Sequence, residues 1–325
     1  MKKVFVTGAT GLLGTNTIIK LLQYDYFVIA LVRKKSSWMD EENENLKLIE
    51  GDLFSDISKD LQDVEAVIHI AAETSQDLLH YEDYKKINYN ATVHLFGQAA
   101  TAGADKFLFV STANTLGYGS SEELGNETTA QLYPFTHSYY AQSKLETENY
   151  LLRQNTKTKV IIVNPTFMIG AYDSKPSSGK IIFWAWKKHL IFYPKGGKNF
   201  VHVKDAAEGI MKALERGRNG EKYLLANENL SYKDFFQKVN IITRQNPFMV
   251  PIPNSVLVIL GFIGDCLRKL KIKTSLSSAN MKALRIHNFY SNQKSTDELG
   301  VKYQSINKAV EEAIRFFEWK KKISK

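Results

Sequence analysis

"VTGATGLLGTN", Val6 to Asn16, follows one short apolar run and carries Gly8, Gly11 and Gly14 at an even three-residue spacing. Glycines in a strand-to-helix turn let the backbone bend tightly and approach an anion closely. A helix opening near Leu12 would then offer that anion free N–H groups and its positive end. The even spacing departs from the Gly-x-Gly-x-x-Gly form of dinucleotide-binding turns. Alone, the motif also reads as a glycine-rich turn without ligand, so the rest of the chain has to decide.

The surrounding pattern favours a nucleotide. "KVFVT" (Lys3 to Thr7), "YFVIALV" (Tyr26 to Val32), "LKLIEGD" (Leu46 to Asp52), "AVIHIAA" (Ala66 to Ala72), "KFLFVST" (Lys106 to Thr112) and "KVIIVNP" (Lys159 to Pro165) read as strands. Most are continuous, β-branched runs, as expected where helices cover both faces of a parallel sheet. Helical segments are expected between them at Leu12 to Gln23, Tyr84 to Ala102 and His137 to Gln154. The alternation predicts an α/β fold, a Rossmann-type doubly wound parallel sheet with right-handed crossovers. After Pro165 the pattern loosens. "YDSKPSSGK" reads as a loop, "IIFWAWKKHL" as a helix, "FVHVKD" as an extended piece and "AAEGIMKALERG" as a helix ended by Gly217. "GEKYLLA" reads as a strand, and Ser231 with Asp234 stand at capping-box spacing. The expected division is a dinucleotide-binding domain at 1–165, rejoined by 200–226. A smaller, mostly helical substrate lobe takes 166–199 and 227–325.

Composition narrows the function classes. A chain of 325 residues that is 44% hydrophobic can bury a large core. The single cysteine, Cys266, leaves no intrachain disulfide and fits a reducing compartment. The start "MKKVFVTG" lacks the h-region of a signal peptide, and the expected location is cytoplasmic. The net charge of +9 comes from scattered lysines, densest in the terminal "WKKKISK". That scatter reads as a solvated face rather than a nucleic-acid surface, with a cleft for phosphate-bearing ligands as the second account. The longest apolar run, "VLVILGFIG" (Val256 to Gly264), falls far short of the roughly 20 residues a bilayer span needs. No stable membrane insertion is expected. A buried or partly exposed amphipathic helix is the plain reading. Its rivals are a greasy lip at a substrate entrance and a weak membrane contact aided by Arg268, Lys269, Lys271 and Lys273.

Two further elements carry chemistry. The second strand ends in "LVRKKSS", where an NAD site usually places an acid for the ribose hydroxyl. Arg33, Lys34 and Lys35 would attract a 2′-phosphate instead, so NADP is expected over NAD. In "SYYAQSKLETE", Tyr140 and Lys144 lie one turn apart on one helix face. A nearby ammonium lowers a phenol's pKa, which suits the pair to proton exchange with a carbonyl or hydroxyl oxygen. Tyr139 is set aside because Ser143 stands four residues on. The strand "KFLFVSTAN" ends at Ser111 and Thr112, on the carboxyl edge where open α/β sheets bind ligands. A hydroxyl there can support the substrate oxygen; Ser111 reads as a strand-end cap and Thr112 as the functional group. His69 reads as a core histidine. The sequence shows no short His/Cys/carboxylate spacing of a zinc site, and no metal is expected.

With these residues in view the chain resembles an extended short-chain dehydrogenase/reductase, of the NAD-dependent epimerase/dehydratase superfamily. "TGATGLLG" resembles the family's Thr-Gly-x-x-Gly-x-x-Gly loop, "GDL" (Gly51 to Leu53) its adenine-contacting turn and "HIAA" (His69 to Ala72) its fourth-strand motif. "INYNATVHL" resembles the Asn-x-x-Gly-Thr segment, with Ala91 in place of glycine. "VSTAN" and "YAQSK" resemble the hydroxyl and Tyr-Lys elements, and "FVHVKDAA" and "GEKYLLANENLS" later framework segments. "LVRKK", "VNPTFMIG" and "KPSSGKII" are most similar to the dihydroflavonol-4-reductase-like branch. Hopanoid-associated sugar epimerase-like proteins and 3β-hydroxysteroid dehydrogenases are similar in the same places. The resemblance implies Thr112, Tyr140 and Lys144 as the catalytic set. It implies cofactor contacts at Gly8, Thr10, Gly11, Leu12, Leu13, Arg33, Asp52, Leu53, Ala71, Ala72, Pro165 and Thr166, besides Tyr140 and Lys144. Asp205 is expected to be a helix N-cap.

The implied reaction is hydride transfer between a nicotinamide and a carbonyl or alcohol of a small organic substrate. A nucleotide-sugar epimerase or dehydratase with a transiently reduced cofactor is the alternative. Ala113 and Asn114 stand where 4,6-dehydratases carry Asp-Glu, which counts against that subtype. A non-catalytic sensor on the same fold would often lack the Tyr-Lys pair present here. The substrate is expected against the C-terminal lobe and the Ala171 to Lys180 loop, and homodimers through paired helices are an analogy with the family alone.

Overall fold

The computed structural model describes residues 1–323. Six parallel strands form in the order read from the sequence: β1 (Lys3–Thr7), β2 (Phe27–Val32), β3 (Leu46–Glu50), β4 (Ala66–His69), β5 (Lys106–Val110) and β6 (Lys159–Pro165). A seventh strand, Lys222–Leu225, joins the far edge. The spatial order is Lys222–Leu225, β6, β5, β4, β1, β2, β3, and every pairing is parallel. Val4 and Val6 face one apolar cluster, which includes Ile18 and Ile210. Phe5 faces another with Leu95 and Phe107. Burial on both faces is why these strands read as unbroken apolar runs.

Strand order reverses between β1 and β4, and this switch point sets the crevice at the carboxyl edge. Helix Leu12–Gln23 starts directly from it. The second expected helix forms as Tyr81–Lys85 and Ala91–Thr101, joined through a π-helical turn at Lys86–Asn90. The third is Tyr139–Leu152, capped by the Ser138 hydroxyl.

A second, four-stranded sheet is built on Gly197–His202, with Glu228–Ser231, His287–Asn288 and Phe167–Ile169 around it. Its own core joins Phe200, Phe235 and Phe236 to Ile306, Val310 and Phe317. Ser231 caps helix Tyr232–Ile242 by accepting from the Asp234 N–H, as the capping-box spacing predicts.

Two expectations change. "IIFWAWKKHL" is a short 3-10 segment, Ser178–Trp184, and a strand, Leu190–Tyr193, rather than one helix. Lys187 takes a left-handed φ of 60° that breaks the helical path. Leu190–Tyr193 then pairs with Phe248–Pro251, a tertiary contact that overrides local periodicity. Asp205 is not an N-cap: helix Val203–Arg216 is capped by His202, whose Nδ1 accepts from the Lys204 N–H. Asp205 sits buried within the first turn, accepting from the backbone and side-chain nitrogens of Gln304, each at 2.7 Å.

Candidate active site

The glycine loop is closed at Gly8 and Gly14 by contacts that leave no room for side chains. Gly8 has φ +73°, and a Cβ there would lie 2.7 Å from the Ala71 nitrogen. A Cβ on Gly14 would lie 2.0 Å from the Gly8 carbonyl oxygen. Gly11 donates its N–H to that same oxygen at 3.1 Å and caps the Leu12–Gln23 helix without a side-chain bond. The first N–H groups of the helix, Leu12 and Leu13 among them, thus face the crevice unclaimed by any capping side chain. Thr10 is only partly covered beside them. A pyrophosphate fits such a cradle, because it supplies the acceptors that the bare helix start lacks.

Ala71 and Ala72 follow β4 across the switch point. The Ala71 N–H donates to Thr7 Oγ1 at 3.2 Å, and that hydroxyl meets His69 Nδ1 at 2.7 Å. His69 Nε2 contacts Thr92 Oγ1 at 2.9 Å. Burial, aided by the Lys144 charge, pushes the imidazole pKa down to about 3. His69 is a neutral bracket between strands and helix.

Arg33 emerges exposed from the end of β2, with no hydrogen bond or ion pair to any described residue. The Lys35 N–H beside it is held by Glu50 Oε1 at 2.6 Å. Asp52 and Leu53 follow β3; Asp52 is exposed and organises its own turn by accepting from the Phe54 N–H at 2.7 Å. Pro165 and Thr166 end β6, where the Thr166 hydroxyl donates to Asn199 Oδ1 at 2.7 Å.

Thr112 and Tyr140 meet on the carboxyl edge of β5. Thr112 is buried, and its Oγ1 accepts weakly from the Asn114 N–H at 3.3 Å. Tyr140 is half-buried. Loss of solvent pushes its phenol up to about 12, with the neighbouring Thr112 hydroxyl acting in the opposite direction. Lys144 is fully buried: its Nζ donates to the Val110 carbonyl at 2.6 Å and lies 4.1 Å from the centre of the Phe109 ring. Burial drives its pKa down to about 7, with Glu148 acting in the opposite direction. The expected lowering of the tyrosine pKa by the lysine is not the net result here. The ammonium is turned to β5, and burial outweighs it.

Two residues the sequence reading passed over organise this helix. Glu148, one further turn along the face of Tyr140 and Lys144, is completely buried. Its carboxylate accepts from the Ser111 hydroxyl, the Thr115 hydroxyl at 2.7 Å, Asn164 Nδ2 at 2.8 Å and Lys222 Nζ at 2.5 Å. Ser111 is thus an anchor for this acid. Asn88, in the π-helical turn, donates to Ser143 Oγ at 2.9 Å, and its carbonyl accepts from the Thr147 hydroxyl at 2.9 Å. The i+4 spacing from Lys144 is the available signal for Glu148; Asn88 is the asparagine of the segment that resembles Asn-x-x-Gly-Thr, to which the sequence reading gives no role. Tyr139 is exposed and packs edge-on against Tyr81 and Tyr84.

A cleft of about 520 Å³ opens elsewhere, lined by Asn16, Lys20, Tyr172, Asp205 and Glu208, and none of the candidate catalytic residues borders it. No group of His, Cys, Asp and Glu among the described residues could hold a metal ion. No helix among them is long and apolar enough to cross a membrane.

The chain is 27% identical over 322 residues to a Synechocystis protein provisionally named dihydroflavonol 4-reductase, covering 97% of this chain and 94% of that one. It is 28% identical over 271 residues to the decarboxylating sterol-4-alpha-carboxylate 3-dehydrogenase of Dictyostelium discoideum, covering 78% and 81%. Among solved structures, gox2253 superposes with a TM-score of 0.83 at 29% identity, over 98% of this chain and 99% of that one. The UDP-glucuronic acid 4-epimerase of Bacillus cereus, solved with UDP-glucuronic acid and NAD, shares the fold at 18% identity and a TM-score of 0.78, over 98% and 99%. The NAD dependent epimerase/dehydratase family model matches residues 4–226. The chain belongs to that family, and it is an NAD(P)-dependent oxidoreductase of the extended short-chain dehydrogenase/reductase type.

Proposed function

We propose that this enzyme is an NADP-dependent reductase of a carbonyl group on a small organic substrate, with Thr112, Tyr140 and Lys144 as its catalytic residues. The observation that carries the reading is the position of the Tyr140 phenol beside Thr112 at the carboxyl end of β5, one helical turn from the buried Lys144. A phenol held near 12 is protonated at neutral pH, the state needed to deliver a proton to a carbonyl oxygen. When bound, a nicotinamide would supply the hydride.

Residues 1–165 and 200–226 hold the cofactor in this reading. Gly8, Thr10, Gly11, Leu12 and Leu13 receive the pyrophosphate, Arg33 the 2′-phosphate, and Asp52 and Leu53 the adenine side. Ala71, Ala72, Pro165 and Thr166 flank the nicotinamide half, and residues 166–199 with 227–325 take the substrate. Tyr140 gives its Oη proton to the substrate oxygen, and Thr112 donates a hydrogen bond to that oxygen as charge gathers on it. Lys144 holds a proton at Nζ beside the helix and orients the nicotinamide ribose. The free cation at Arg33 and the relative named as a reductase over nearly the whole chain support this direction.

The test is NADPH oxidation followed by absorbance across aldehydes, ketones, flavonoid-like and steroid-like carbonyls and nucleotide sugars, with product analysis. Tyr140→Phe should lower turnover by about a hundredfold or more, the usual weight of a proton donor, while binding NADPH as the parent does. Tightly retained NAD with epimerised sugar and no net NADPH consumption would overturn the reductase reading.

A further inference from the structure

The C-terminal lobe presents two apolar faces to solvent, joined by Ile252 and Pro253. In the helix Asn254–Lys269, Leu257, Gly261 and Gly264 point inward. Both glycines are pressed against a neighbouring segment. A Cβ on Gly261 would lie 2.9 Å from the Ser278 Cα, and one on Gly264 2.4 Å from the Leu276 carbonyl carbon. This close packing fixes which side faces out. The outward side is Val256, Val258, Ile259, Phe262 and Ile263, with Phe262 67% exposed. A surface helix ordinarily carries charged and polar residues there.

The preceding ribbon repeats the anomaly. Phe248 lies opposite Leu190 and Val250 opposite Phe192. All four are exposed, Phe248 to 82%, whereas Ile191 between them is buried. A half-buried strand normally alternates to polar residues on its outer face. Apolar surface gathered in this way marks an interaction site.

The charges beside the helix identify the partner. Lys269, Lys271 and Lys273 follow its apolar face, all exposed. The chain carries no Asp or Glu between Asp265 and Asp297. An apolar helix face ending in unopposed lysines matches a surface that is apolar beneath and negative at its rim. A second copy would bring the same lysines, on a chain of net charge +9, to the contact. We propose that the outward face of helix Asn254–Lys269, with its Lys269–Lys273 end, docks on the surface of an anionic lipid bilayer without crossing it. The docked helix is tied to the loop after β4, since Arg268 donates to the Leu78 carbonyl at 2.7 Å in the segment between Ala72 and Tyr81.

The experiment is flotation of the full-length protein with vesicles of phosphatidylcholine alone or mixed equally with phosphatidylglycerol. Wild type should float with the mixed vesicles and much less with the neutral ones. Replacing Lys269, Lys271 and Lys273 by Gln should weaken binding about fivefold per lysine, the weight of one basic residue near an anionic surface. Phe262→Asp should weaken it at least tenfold. Both variants should keep the parent's thermal midpoint and NADPH affinity, since the altered groups face solvent. The proposal is overturned if wild type ignores the mixed vesicles or if Phe262→Asp binds them as wild type does. It is likewise overturned if light scattering shows a dimer that Phe262→Asp splits, because a second copy would then cover the face. These readouts need no substrate, so their failure is separate from failure of the reductase reading.

Discussion

Replacing Gly11 and Gly14 one at a time by alanine separates what the loop does for the fold from what it does for the cofactor. A Cβ on Gly14 would sit 2.0 Å from the Gly8 oxygen and 2.7 Å from its carbonyl carbon. That backbone would have to retreat by more than about 1 Å to reach ordinary contact. It has nowhere to go, because Gly8 is itself pressed against the Ala71 nitrogen. Overpacking of this kind costs about 3 kcal/mol. At about 2.1 cal/mol/K of unfolding entropy per residue, the 325-residue chain would melt about 4 °C lower. A Cβ on Gly11 meets only the Gly8 oxygen, at 3.4 Å, on a backbone with φ −90°. The cost there is the N-cap preference of glycine over alanine, about 0.5–1 kcal/mol, or about 1 °C.

The two variants converge on the cofactor. A methyl at Gly11 stands on the open side of the helix start, where a pyrophosphate needs the backbone close. Gly11→Ala should raise the NADPH dissociation constant at least tenfold. At a fixed high NADPH concentration this removes about 1.4 kcal/mol of ligand-induced stabilisation, or about 2 °C of the upward shift in midpoint. Thermal unfolding with and without NADPH, beside a fluorescence titration, measures both effects. If Gly11→Ala keeps the parent's affinity, the loop does not cradle the pyrophosphate. If its ligand-free midpoint falls as far as that of Gly14→Ala, the contact reasoning is wrong.

Arg33→Ala should weaken NADPH more than tenfold and leave NADH unchanged; equal weakening of both would remove the 2′-phosphate assignment. Glu148→Gln deletes the carboxylate that opposes the fall in the Lys144 pKa. That pKa then drops below about 7, the lysine gives up its proton at lower pH, and the alkaline limb of kcat/KM moves toward acid. An unmoved limb would show that the Lys144 proton has no part in catalysis. Asp205→Ala strands two nitrogens of Gln304. It should cost about 2 kcal/mol, as for hydrogen bonds to a charged acceptor, and lower the midpoint by about 3 °C. NADPH affinity should stay put, and a change in it would place Asp205 in the cofactor site.

The parts legible in the sequence are those whose physics is local. A parallel strand buried on both faces is an unbroken β-branched run, so β1 to β6 stand out. The glycine turn shows itself because a Cβ at Gly8 or Gly14 would strike neighbouring backbone. Other features depend on partners far along the chain. The Tyr140 phenol is raised by loss of solvent in the folded chain, and Lys144 Nζ finds its partner at the Val110 carbonyl, 34 residues away. Asp205 stood at a helix start, but Gln304, 99 residues on, claims its carboxylate. The ribbon at Leu190–Tyr193 was hidden because both its faces are apolar, which erases the alternation that marks a half-buried strand.

Glu148 joins these levels. Its four donors come from the end of β5, the turn after it, β6 and the edge strand Lys222–Leu225. One carboxylate therefore pins the Tyr139–Leu152 helix across three neighbouring strands. A buried acid is costly unless each lone pair is used, and here each oxygen has a partner. Asn164 Nδ2 also donates to the Thr112 carbonyl at 3.1 Å, so the same network fixes the backbone that carries the candidate hydroxyl. The phenol and the hydroxyl belong to separate elements, and their meeting is set by an acid two turns beyond Tyr140. The i, i+4, i+8 series Tyr140, Lys144, Glu148 is thus one device: in the reaction we propose the first residue faces the substrate, the second holds a titratable proton, and the third secures both to the sheet.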